Sequence, residues 1–121
     1  MKSYTDINQS KKLAEILPLE SADMRFCFSH TLGGRITGHY PMIGREPSMG
    51  TIPCWSLAAL LELLDYPQLS KDKLGSGRIG WMISVYPYNC RYDSCWHDNP
   101  IDACVEMIIK LNELKIAQKE E

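Results

Sequence analysis

No CxxC pair occurs in this chain, although it carries five cysteines, at positions 27, 54, 90, 95 and 104. The paired spacing of many zinc and redox motifs is therefore missing, and an odd set in a cytoplasmic chain is expected to be free thiols. No run of 18 apolar residues is present, which gives no candidate membrane helix. The opening stretch MKSYTDINQSKKLAEIL lacks the apolar h-region of a signal peptide, so a cytoplasmic location is expected. A basic excess is lacking as well. Thirteen Lys and Arg stand against 15 Asp and Glu, net −2, so no nucleic-acid partner is expected. No GK[ST] follows Gly75-Ser76-Gly77, and the residues ahead of it read as a polar connector, which excludes a phosphate loop. No internal repeat is visible.

What remains is an ordinary globular chain. Its 121 residues, 45% of them apolar, fit one domain with a real core. The most apolar stretch, TIPCWSLAALLELLDYP at residues 51–67, reads as a central helix. Pro53 suits a first helical turn. Leu57, Leu60, Leu61 and Leu64 fall on one stripe at about 100° per residue. Tyr66-Pro67 ends the element, because the residue before proline avoids the α region.

Around it, residues 6–17 read as a helix capped by Thr5 or Asp6 and closed by Pro18. Residues 24–30 alternate, with Met24, Phe26, Phe28 and His30 on one face. Gly33-Gly34 offers a turn, and residues 35–40 return. Residues 41–50 read as a loop, with Arg45-Glu46 as an exposed handle. Residues 78–86 read as the clearest strand. Pro87-Tyr88-Asn89 turns the chain, and residues 90–97 return. Asn99-Pro100-Ile101-Asp102 starts a last helix that runs to about residue 115, with Ile101, Cys104, Val105, Ile108 and Leu111 on one stripe. Glu106 and Lys110 form an i,i+4 pair on its outer face. The order is α-ββ-α-ββ-α: an α+β fold in which an antiparallel sheet from two hairpins packs with three helices as a two-layer sandwich.

Three constellations carry candidate chemistry. Strand periodicity puts Arg91, Asp93, Cys95 and His97 on one face, about 7 Å apart per step. A cysteine and histidine there form a nucleophile–base pair or half a zinc site, with Cys27 or His39 as outside donors. Cys90 points to the opposite face, so no three-ligand cluster is expected and no cofactor or metal is assigned. Second, Cys54 in a first helical turn, where free N–H groups favour a thiolate, could pair with His97. Its Cys-Trp pair is similar to the nucleophile region of papain-like proteases, although Ile52-Pro53 stand where that family has Gly-Ser. Third, Tyr40, Tyr88, Trp55 and Trp96 are expected to leave aromatic surface for a protein partner or for self-association. Trp81 and Tyr92 are expected to pack between sheet and helices.

Residues 9–24 (QSKKLAEILPLESADM), 52–64 (IPCWSLAALLELL) and 99–114 (NPIDACVEMIIKLNEL) together resemble a family of short, uncharacterised proteins encoded in prophage-like and mobile regions of intestinal anaerobic bacteria. The resemblance covers the three helices and departs most over residues 25–51. It implies a small cytoplasmic accessory or interaction module and brings no catalytic residues. The runner-up is a thiol-dependent hydrolase using Cys54 or Cys95 with His97, followed by a zinc-stabilised module.

Overall fold

The computed structural model describes residues 2–30, 36–43 and 51–119, with side chains described except at 28–30, 36–40, 88 and 116–119. Among these residues the chain forms three α-helices and six strands.

Helix α1, Ile7–Ile16, begins at a reciprocal cap. The Gln9 N–H donates to Asp6 Oδ1 at 2.7 Å, and the Asp6 N–H donates to Gln9 Oε1 at 3.1 Å. Such caps contribute about 1 kcal/mol. Strand β1, Met24–His30, pairs antiparallel with β2, Ile36–Ile43, the hairpin that the alternation predicts. β2 runs on through Pro41, Met42 and Ile43, which read as loop, because each is paired with a residue of β1. The Gly33-Gly34 turn and the Arg45-Glu46 handle lie outside the described residues.

The central stretch differs from its sequence reading. Its first residues are a strand, β3 (Ile52–Cys54), paired with the other edge of β1. Helix α2 spans only Leu57–Glu62. Pro53 is tolerated in this short strand as it would be in a first helical turn, so its presence did not discriminate. Ser56 is the true cap. Its Oγ accepts from the Ala59 N–H at 3.3 Å, and Asp23 binds both the Ser56 hydroxyl and its N–H. Tyr66 then takes a left-handed φ of 49° and stands 81% exposed, turning the chain into the next strand.

Residues 68–73, expected as connector, form β4 (Gln68–Lys73) against β5 (Ile79–Val85). The second hairpin is therefore β4–β5. Strand β6 is only Tyr92–Asp93, on the other side of β5. The strands divide into two antiparallel sheets, β2-β1-β3 and β4-β5-β6, a point that the sequence leaves open. Each inner strand has both edges occupied, and the N-terminal segment lies beside β3, where the Thr5 N–H donates to the Trp55 carbonyl at 3.0 Å. The fold class is α+β, as expected.

Helix α3, Pro100–Lys119, is the element the core is built around. Asn99 caps it, its Oδ1 accepting from the Asp102 N–H at 2.9 Å. Ile101, Ala103, Cys104 and Met107 are fully buried, so α3 is covered on more than one side. It packs on β5 through Ile83 and Val85, on α2 through Leu60, and on α1 through Leu13. Each such side chain contributes roughly 1.5–3 kcal/mol by burial. Among the described residues no helix is long and apolar enough to cross a membrane.

Candidate functional site

Along β5 one face is core at one end and open at the other. Ile83 and Val85 are fully buried, whereas Ile79, on the same face by strand alternation, is 52% exposed and Trp81 is half-buried. The difference lies in the cover: α3 begins at Pro100 and leaves the first part of β5 unroofed. The result is an open depression of about 430 Å³, lined by Ile79, Trp81, Lys71, Lys2, Asp98 and Asn99.

The charges at its rim are unevenly satisfied. Lys2 Nζ sits 2.9 Å from Asp102 Oδ1 and 3.0 Å from Asp6 Oδ2. Burial pushes the Asp102 carboxyl up, but hydrogen bonds from Lys2, Gln9 and Asn99 outweigh it and hold the group below its ordinary value. Asp98 takes both oxygens to Arg78 Nη2, at 2.7 and 2.8 Å. Lys71 differs. Its ammonium lies 5.1 Å from the centre of the Trp81 ring, a cation–π contact, and no carboxylate lies within ion-pair distance among the described residues. Lys73, directly across from Ile79 in the ladder, is likewise without a carboxylate there.

The expected row Arg91, Asp93, Cys95 and His97 does not share one face. Asp93 pairs with Ser84, and His97 with Trp81. Four residue steps on one strand thus oppose three on the other, which is a bulge. Arg91 and Asp93 stay outside as an exposed ion pair, Nε to Oδ1 2.8 Å, with Asp93 also accepting from Ser84. Beyond the bulge His97 turns towards α3, its Nε2 lying 2.9 Å from Glu106 Oε1. The Cys95 N–H donates to Glu106 Oε2 at 2.9 Å, so the same carboxylate satisfies the N–H that the bulge withdraws from the ladder. Burial raises the Glu106 carboxyl. The Cys95 N–H, the His97 ring and the Cys95 thiol pull it further the other way, leaving it below its ordinary value. Glu106 therefore pairs with His97, and Lys110 reaches the Asp93 carbonyl instead of Glu106. The His97 Nε2 contact is made to Glu106, while Cys95 remains exposed.

Cys54 lies at the end of β3, not in a helical turn. It is fully buried, its Sγ donating to the Thr5 carbonyl at 3.5 Å. Burial raises its pKa despite hydroxyl contacts with Thr5 and Ser10, and Asp23 adds to the rise, so the thiolate alternative has no support and Cys54 is a buried structural cysteine, the commoner state of a free thiol. Trp55, expected as exposed aromatic surface, is fully buried, and its Nε1–H donates to Ser21 Oγ at 3.0 Å. Trp96 is 41% exposed. It lies against Gly80, where an added Cβ would come within 3.1 Å of its ring. The side chains of Tyr40, Tyr88 and His39 lie outside the described residues. Trp81 packs less fully than expected, whereas Tyr92 joins the core margin. Among the described residues no group of three His, Cys, Asp or Glu could hold a metal ion.

The depression was missed from sequence. Ile79 and Trp81 continue the alternation of Ile83 and Val85, and only the starting point of α3 distinguishes them. No family model, curated protein or solved structure matches the chain.

Proposed function

We propose that this protein is a small interaction module that docks a protein partner through the depression at the head of α3. The observation that carries the reading is the exposure of Ile79, 52%, beside half-buried Trp81 on a strand face that is otherwise core. Apolar surface with a polar, charged rim is the anatomy of a docking patch. The described residues that line the depression include no Cys, Ser or His.

The test is affinity isolation of the tagged full chain from cells that produce it, in parallel with Ile79→Asp. Ile79 is exposed, so the substitution should leave the fold intact, which a thermal melt checks. A partner, whether a second protein or another copy of the chain, that is recovered with the wild type and lost with Ile79→Asp supports the reading. Equal recovery with both chains refutes it.

A further inference from the structure

The charge around the depression specifies its partner. Strand pairing sets Lys71 directly across from Trp81 and Lys73 directly across from Ile79. Opposed residues share a face, so two apolar side chains of β5 are flanked by two lysines of β4. Of the nearby carboxylates, Asp98 is engaged by Arg78, and Asp102 by Lys2, Gln9 and Asn99. Asp72, between the two lysines, stands opposite Gly80 on the other face of β4, and its Oδ1 accepts from the Lys73 N–H at 2.8 Å. Lys71 and Lys73 have no carboxylate within ion-pair distance among the described residues. The chain as a whole is net −2, so this open positive charge runs against the molecule's average.

From this juxtaposition we infer that the depression takes an acidic peptide segment with an apolar anchor. The anchor, a leucine, isoleucine or phenylalanine, rests on Ile79 and Trp81. A neighbouring Asp or Glu of the partner meets Lys71 and Lys73. The Lys71 ammonium, held over the Trp81 ring, is placed to meet that carboxylate beside the anchor. A basic segment would set like charges together, which costs affinity and slows encounter. The inference rests on the docking reading above and adds the chemistry of the partner to it.

The test is selection of a random short-peptide library, displayed on phage, against the immobilised full chain and against Ile79→Asp. The enriched peptides are then synthesised with a fluorescent label and titrated by anisotropy against three chains: wild type, Ile79→Asp and Lys71→Glu/Lys73→Glu. All three substituted positions are on the surface, and a thermal melt confirms folding. The expected peptides place Asp or Glu beside an apolar residue and bind roughly tenfold more weakly to the lysine double variant. Their lysine-for-acid versions regain affinity for that variant. Peptides that need Ile79 but bind both lysine forms equally overturn the acidic partner and leave the docking surface standing. No enrichment over Ile79→Asp overturns both.

Discussion

Glu106 Oε1 lies 2.9 Å from His97 Nε2, and this contact decides the shape of the segment between β6 and α3. Its other oxygen accepts from the Cys95 N–H, so one carboxylate on α3 closes both ends of a bulge that has left the ladder.

Glu106→Gln is therefore expected to destabilise the protein by about 1–2 kcal/mol, since a charge-assisted acceptor to two donors is replaced by a neutral amide. Urea unfolding measures it. A stability equal to that of the wild type would show that the bulge is held by the ladder alone.

The same pair gives a pH dependence with a definite sign. The folded-state pKa of Glu106 lies below its ordinary value, so its contribution is present above that value and is lost as pH falls through the folded one. Asp6 and Asp102 are also lowered. The wild type should thus lose stability on acidification below the usual carboxylate range. The gap between wild type and Glu106→Gln should shrink in acid, as pH falls through and below the usual carboxylate range. Denaturant midpoints across pH check this.

Thiol reactivity should divide sharply. Cys90 and Cys95 are exposed, whereas Cys54 and Cys104 are buried, the latter with its pKa pushed up by burial to about 12. A disulfide reagent should label the first two at once and Cys54 and Cys104 only after unfolding. Fast modification of Cys54 in the native protein would restore it as a candidate nucleophile.

Gly80→Ala should move Trp96 rather than unfold the chain. The new Cβ would meet Leu74 Cδ1 at 2.9 Å and the Trp96 ring at 3.1 Å. Trp96 is partly exposed and has room to swing, so the cost is expected to stay near 1 kcal/mol. The Trp96 indole resonance should shift while the Trp55 indole, buried against Ser21, stays in place.

The parts that were legible in sequence are those fixed by neighbours in the chain. Asp6 with Gln9, and Asn99 with Pro100, mark helix starts through bonds spanning three residues, and both lie where expected. Strand β1 shows its alternation in the residues themselves, with buried Phe26 between half-buried Arg25 and Cys27. Strand β4 does not, since QLSKDK has only Leu69 to bury and owes its conformation to β5. Pro53 fits a helix start and a short strand equally, so only the pairing of Ile52–Cys54 with β1 decides. The bulge at Cys95 could not be seen, because Glu106 has a suitable lysine four residues along and nothing local names His97 as its partner. The open depression depends on a helix stopping short, and local periodicity carries no record of that.

The most direct test of the docking surface is a photo-crosslinking residue placed at Ile79 in the producing cell, with Lys12 on the exposed side of α1 as the control position. The account predicts one discrete adduct from position 79 and none from position 12, its mass giving the partner or a second copy. No adduct at 79, or the same adducts from both positions, would contradict it.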